Sequence, residues 1–179
     1  PHPVRFFRPD TLPFRLTSLN QRQRLFAEAG ADAMIVFPFN AALAGLTAEE
    51  FVAQRLEGVA GVVTGEDFTF GKGRSGSVET LATLGAKYGF VAEAVSPVAD
   101  GGEVISSSRI REALEAGDCA TATELLTRPF AVEAVVQHGD KNGRQLGFPT
   151  ANIDMGSYLR PRYGIYAVRG RLPDGHVLD

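Results

Sequence analysis

From Thr17 to about Thr127, apolar residues at helical spacing alternate with short unbroken apolar runs, the pattern of helices and strands in succession. "TSLNQRQRLFAEAG", residues 17–30, opens on hydroxyls, carries Leu19, Leu25 and Phe26, and stops at Gly30; "AMIVF", 33–37, follows as a strand. "TAEEFVAQRLEG", 47–58, sets Thr47 and Glu50 at capping-box spacing and puts Gly58 where a helix ends in a left-handed residue. "AGVVTG", 60–65, reads as a strand, "SVETLATLGAKYG", 77–89, as a helix, and "FVAEAV", 90–95, as a strand. Two helices follow, "SSSRIREALEAG" at 106–117 and "DCATATELL" at 118–126, the second opened by Asp118. This alternation predicts an α/β layer with a mainly parallel sheet.

After Pro129 the pattern changes. "AVEAVVQ", 131–137, and "GIYAVRGRL", 164–172, are strand-like, the stretch between them is rich in turn residues, and no helical spacing follows. A second, β-rich domain is therefore expected from near Arg128, dividing the chain into 1–127 and 128–179.

Composition fits that division, since 179 residues with 44% hydrophobic and 22% charged content suffice for one or two small domains with a real core. A net charge of −3 supplies no broad cationic field, which argues against nucleic acid and anionic lipid as partners; Lys72 and Arg74 are local basic spots only. Cys119 is the sole cysteine, so an intrachain disulfide, a Cys-rich zinc site and a CxxC pair are all excluded, and a reducing cytoplasm is the natural compartment. His2, His138 and His176 are too scattered in sequence to suggest a metal cluster, and nothing resembles a signal peptide or a membrane span. Oligomeric state leaves no mark on the sequence.

Three stretches carry candidate chemistry. "GEDFTFGKGRSG", Gly65 to Gly76, follows a strand and precedes a helix, where α/β sheets present backbone amides to phosphates. It is not a Walker A loop: five residues separate Gly65 from Gly71, and Gly73 stands after Lys72 where a hydroxyl is required. Gly71, Gly73 and Gly76 do spell GxGxxG, but "EDFTF" intervenes between strand and motif, and a surface loop pinned by Phe68 and Phe70 explains the stretch equally well. "ISSSRIR", 105–111, reads either as a serine cap with a solvated arginine or as an anion site of helix dipole, hydroxyls and Arg111. In "GRQLGFPTANI", 143–153, Pro149 forces Phe148 into extended conformation; an extended "PTANI" then projects Thr150 and Asn152 to one face. Two neutral oxygens can hold Mg²⁺ beside substrate phosphates, or can merely satisfy a local turn.

Taken together these blocks resemble the bacterial bifunctional riboflavin kinase/FAD synthetase family. "GRQLGFPTANI" and "GIYAV" look like its flavokinase signature and following strand, and "PHPVRFF", "FPFNAALAGLTAEEFV", "GEDFTFGKGRSG", "YGF" and "ISSSRIR" look like successive blocks of its FMN adenylyltransferase module. The resemblance implies a Rossmann-like nucleotidyltransferase domain that transfers AMP from ATP to FMN, giving FAD and pyrophosphate. It also implies a small antiparallel β-barrel that phosphorylates riboflavin with ATP. By the same resemblance Ser107, Ser108 and Arg111 match an element holding ATP phosphates, with serine in place of threonine at 108, and Gly65, Asp67, Phe68 and Phe70 match a loop lining the flavin and nucleotide site. Gly139, Gly143, Arg144 and Gly147 fall in the loop folding over the kinase ATP, and Thr150 and Asn152 match the pair that coordinates Mg²⁺.

The family carries an HxGH segment upstream of the block that "PHP" matches and a carboxylate general base downstream in the barrel. The chain runs from Pro1 to Asp179, so it reads as the middle of a longer protein, its catalytic residues stay unassigned, and alone it is expected to be deficient in both reactions. Two other readings remain open: a noncatalytic flavin or nucleotide carrier of the same fold, and an NAD(P)-dependent oxidoreductase resting on Gly71, Gly73 and Gly76.

Overall fold

The computed structural model of the protein describes residues 2–139, 147 and 150–178. Its elements are α1 (Pro3–Phe7), α2 (Leu19–Glu28), α3 (Ala41–Gly45), α4 (Ala48–Arg55), β1 (Gly61–Gly65), α5 (Val78–Tyr88), β2 (Val91–Val95), β3 (Ala99–Asp100), β4 (Glu103–Val104), α6 (Ser107–Ala116), α7 (Cys119–Leu126), β5 (Val136–Gln137), β6 (Asn152–Ile153), β7 (Gly170–Arg171) and β8 (Val177–Leu178). The fold is mixed α/β. Among the described residues β1 and β2 form a parallel pair, while β3–β4, β5–β6 and β7–β8 are antiparallel. The chain divides into two compact units. One comprises the residues up to Thr11 with Ala29–Ile105, the other Leu12–Glu28 with the residues from Ser106 on.

In the first unit α5 makes the crossover between β1 and β2, whose register runs from Gly61 opposite Val91 to Gly65 opposite Val95. Val52 of α4, Leu81 and Leu84 of α5, Phe70 and Phe90 form the core, with Val62 and Ala92 of the two strands packed against it. Leu81 is fully buried, and cutting it to alanine would cost about 2–5 kcal/mol. The capping box that opens α4 forms as the spacing predicts: Thr47 N donates to Glu50 Oε2 at 2.8 Å, and Glu50 N donates to Thr47 Oγ1 at 3.2 Å. Lys87 and the Tyr88 hydroxyl both bond Glu49, joining α5 to α4, and these donors hold the Glu49 carboxyl below its ordinary pKa.

Two expectations change here. "AMIVF" forms no strand: residues 33–37 lie outside every ladder among the described residues, and Ile35 and Val36 are exposed. Hydrophobicity asks for burial, but a strand exists only where a neighbour accepts its backbone groups. Among the described residues the parallel sheet of this unit is accordingly the β1–β2 pair rather than a longer layer, accompanied by the short antiparallel β3–β4 pair. Sequence patterning also missed α1 and α3, which are too short to show a period; local caps start them, His2 Nδ1 accepting from Val4 N at 3.2 Å and Asn40 Oδ1 from Leu43 N at 2.9 Å.

In the second unit α6 and α7 pack together, burying Ile110, Leu114, Ala122 and Leu125. Asp118 opens α7 as expected, accepting from Thr121 N at 3.0 Å and from the Thr121 hydroxyl at 2.7 Å. Ser18 and Gln21 cap α2 reciprocally: Ser18 N donates to Gln21 Oε1 at 2.7 Å, and Gln21 N donates to Ser18 Oγ at 3.1 Å. Gln21 is nevertheless buried, because its Oε1 also accepts from the Tyr158 hydroxyl at 2.8 Å and its Nε2 donates to Ala131 O at 2.9 Å. A parallel bridge between Arg15 and Tyr158 fixes the segment before α2, with Arg15 N donating to Ser157 O at 3.1 Å and Leu159 N donating to Arg15 O at 2.9 Å. After α7 no helix follows among the described residues, as the pattern predicts, but the strands expected at 131–137 and 164–172 contract to β5 and β7.

Candidate functional site

Gly65, the last residue of β1, begins the glycine-rich loop. Phe68 N returns to Gly65 O at 3.1 Å, and the Asp67 carboxylate closes over the Gly65 Cα, 3.0 Å from where a Cβ would stand. Phe70 is a core residue, stacked on Phe68 with ring centroids 5.6 Å apart and an interplanar angle of 14°. Phe68 is 37% exposed, so of the two rings it is the one presented outward. The loop then closes on itself: Phe70 N donates to Gly76 O at 3.0 Å, and Gly76 N donates to Phe70 O at 2.9 Å.

Steric need explains two of the three glycines that spell GxGxxG. Gly71 has φ +75°, and a Cβ there would stand 2.7 Å from Ala48 N; a Cβ on Gly76 would run into the Phe70 ring at 2.7 Å. Lys72 N donates to Leu46 O at 2.7 Å, tying the intervening turn to the start of α4. The spacing is thus accounted for by a loop packed against its own unit, in line with the surface-loop reading of the stretch.

In the second unit Ser106, at the position before α6, does the capping, its Oγ accepting from Arg109 N at 3.3 Å. Ser107 and Ser108 occupy the first two helical positions and are exposed, so neither is consumed as the cap residue. Arg111, one turn further on, is partly buried: its Nε donates to Phe14 O at 2.9 Å and its Cζ lies 5.4 Å from the Phe14 ring centroid. Hydroxyls, free helical amides and a guanidinium thus share the first turns of one helix, a combination suited to phosphate oxygens.

Asn152 stands in β6 opposite Gln137 of β5, and its side-chain amide lies against Gly139, filling the space a Cβ there would take. Thr150 and Asn152 are both exposed, and Gly147 adopts φ +81°. Gly143, Arg144 and Pro149 lie outside the described residues. No group of three or more His, Cys, Asp or Glu able to hold a metal occurs among the described residues. A hard cation there would depend on the neutral oxygens of Thr150 and Asn152 with water and substrate phosphates, a donor set that suits Mg²⁺. No helix among the described residues is long and apolar enough to cross a membrane. Phe14, beside Arg111, gave no sequence signal as a site residue, and neither did the structural contact between Gln21 and Tyr158, which spans 137 positions.

The architecture and these clusters define a mixed α/β protein whose two parts match two families in succession. A family model described as FAD synthetase matches residues 1–109, and one described as riboflavin kinase matches residues 126–179. The chain belongs to the FAD synthetase family. It is 39% identical over 171 residues to the bifunctional riboflavin kinase/FMN adenylyltransferase of Escherichia coli K12, covering 94% of this chain and 55% of that protein. The protein of the same description from Bacillus subtilis 168 is 37% identical over 184 residues, covering 100% of this chain and 57% of that one. The chain thus spans a little over half the length of these relatives. A crystal structure described as a macrolide-efflux protein from Streptococcus pneumoniae superposes with a TM-score of 0.77 at 30% identity, covering 89% of this chain and 52% of that one.

Proposed function

We propose that the protein acts in flavin cofactor biosynthesis as an ATP-dependent transferase with two activities, riboflavin to FMN with release of ADP, and FMN to FAD with release of pyrophosphate. The observation that carries this reading is the order of matches in one chain, FAD synthetase followed by riboflavin kinase. Residues 1–127 would form a Rossmann-like nucleotidyltransferase domain and 128–179 part of a small antiparallel β-barrel kinase domain, working in the cytoplasm on small molecules.

In adenylylation Ser107, Ser108 and Arg111 bind phosphate oxygens of ATP, with the α6 amides adding dipole and hydrogen bonds. The Gly65–Phe70 loop serves the flavin and nucleotide: Phe68 offers an apolar ring, Phe70 supports it from the core, and Asp67 stays folded on Gly65. In phosphorylation Thr150 and Asn152 hold Mg²⁺, and the glycines at 139, 143 and 147 with Arg144 admit the phosphates. Bound Mg²⁺ supplies charge neutralisation on the transferring phosphoryl group. The protein's own task is positioning, which is why neither a histidine nor a cysteine nucleophile is needed.

The test is incubation of a protein carrying this chain with riboflavin, ATP and Mg²⁺, resolving products by chromatography. FMN and then FAD are expected. Binding of flavin and ATP without either product would overturn the enzymatic reading in favour of a carrier.

A further inference from the structure

Arg111 is held by a segment that no motif marks. Its Nε is spent on the Phe14 carbonyl at 2.9 Å, and the Phe14 ring lies under the guanidinium with its centroid 5.4 Å from Cζ. Phe14 is itself fixed. The next residue, Arg15, donates its N–H to Ser157 O at 3.1 Å and accepts from Leu159 N at 2.9 Å, on either side of the buried Tyr158. The strap that carries Phe14 is therefore bound to the interior of its own unit.

We propose that Phe14 is a positioning residue for Arg111, setting the plane and reach of the guanidinium that grips phosphate. The physical grounds are geometric. A guanidinium is planar with a fixed fork of five N–H donors. Fixing Nε on a carbonyl and one face on a ring leaves the terminal nitrogens as the edge available to an oxyanion, and fixes the plane in which that edge lies. A ring within about 6 Å also attracts the cation through its quadrupole, so orientation and charge are held together. An arginine on a solvated helix face would have to be ordered anew with each ATP bound, at an entropic cost that the strap removes beforehand. The proposal rests on the reading of Arg111 as a ligand of ATP phosphates and adds the residue that aims it.

The test uses a protein carrying this chain and reads KM for ATP and kcat in FAD formation from supplied FMN, with riboflavin phosphorylation as the control reaction. Phe14→Leu keeps apolar bulk and removes the π face; it should raise KM for ATP roughly three- to tenfold, change kcat less, and leave phosphorylation untouched. Phe14→Tyr keeps the ring and should behave as wild type. In an Arg111→Ala background Phe14→Leu should have no further effect, whereas a residue with a purely structural part would still lower activity there. If Arg111→Ala raises KM and folded Phe14→Leu does not, this proposal is overturned and the phosphate reading stands. If Arg111→Ala itself leaves KM unchanged, the phosphate reading falls and takes the proposal with it.

Discussion

The side-chain amide of Asn152 fills the volume that a Cβ on Gly139 would require. Asn152 faces Gln137 across the β5–β6 pair, and Gly139 follows Gln137 by two residues, just beyond the end of β5. Gly139 does not have a positive φ, so backbone strain is not what demands glycine there. Space is: the missing side chain lets Asn152 lie back along the neighbouring strand. Two residues that the family resemblance marks for different reasons, one in the phosphate loop and one as metal ligand, thus depend on each other sterically.

Gly139→Ala should therefore act on activity more than on stability. The methyl would push aside the end of a short flexible side chain, at a cost of about 1 kcal/mol or less, but a displaced ligand oxygen should lower riboflavin phosphorylation by ~10-fold or more. FAD formation from supplied FMN should be unchanged. Rates of both reactions and a melting temperature, measured on one preparation, decide it; normal phosphorylation in the folded variant would separate Gly139 from the site.

Gly71→Ala should be a stability mutation. Its Cβ would stand 2.7 Å from Ala48 N and 2.9 Å from Ala48 Cα, backbone atoms at the start of α4 that cannot rotate away, and φ is +75°. Strain and overpacking together should cost about 3 kcal/mol. Gly73→Ala is the comparison, because φ there is +64° with nothing near the added carbon, and about 1 kcal/mol is expected. Equal losses in urea unfolding would show that the contact with α4 is not what fixes the loop.

Local rules were legible in the sequence and pairings were not. Thr47 with Glu50, and Asp118 with Thr121, satisfy amides within three residues of themselves, so composition at those positions decides the outcome. "AMIVF" shows the other side: Ile35 and Val36 have strand propensity, yet a strand is a relation between two segments, and no ladder partner stands beside them among the described residues. The same holds at the sites. "ISSSRIR" declares hydroxyls and an arginine at a helix start, but which serine caps and what grips the guanidinium depend on Ser106 and on Phe14, 97 positions away from Arg111. "PTANI" declares Thr150 and Asn152; only the β5–β6 register shows why the residue at 139 must lack a side chain.

Thr64→Val should stabilise the protein. Thr64 sits in β1 beside Gly65, and its Oγ1 is buried with no hydrogen-bond partner among the described residues. Valine keeps the shape and removes the unsatisfied group, so a gain of about 1 kcal/mol is expected in chemical denaturation. A loss of that size would mean the hydroxyl has a partner that binds in solution.

Acid should weaken the start of α7. Asp118 is a fully exposed cap whose carboxyl is held below its ordinary pKa, first by the Thr121 backbone N–H and then by the Thr121 hydroxyl. A group whose folded pKa is depressed contributes stability above its unfolded pKa and loses it as pH falls through the folded value. The contribution should thus be complete above the ordinary carboxylate range and fade below about pH 4. Asp118→Asn keeps a capping oxygen without the charge, so its stability should fall less steeply than wild type over that interval. Parallel curves from pH 6 down to pH 2 would show that the charged cap is not the group being titrated.

The final prediction concerns Tyr158, the residue on which the second unit is hung. Its hydroxyl donates to Gln21 Oε1 at 2.8 Å and accepts from Glu133 N at 3.3 Å, while Gln21 Nε2 reaches Ala131 O at 2.9 Å. One phenol thus joins α2 to the segment entering β5, in a setting where Gln21 and Tyr158 are both buried. Tyr158→Phe removes a single oxygen and leaves the ring, its edge contact with Phe130 and its backbone bridge to Arg15 in place. The loss should be about 1–3 kcal/mol, because the Glu133 amide loses its acceptor and Gln21 Oε1 loses one of its donors. The bond from Ser18 N to Gln21 Oε1 at 2.7 Å does not involve the phenol, so the cap of α2 stays in place. Gln21→Met removes the other partner, and combining it with Tyr158→Phe should cost less than the sum of the two single changes, since one shared network is lost only once. Strict additivity in a double-mutant cycle would mean the two residues act separately. Arg111 makes the functional readout: the strap that bears Phe14 is tied to Ser157 and Leu159 by backbone hydrogen bonds that the phenol oxygen does not take part in, so Tyr158→Phe should lower the melting temperature and leave KM for ATP in adenylylation near its wild-type value.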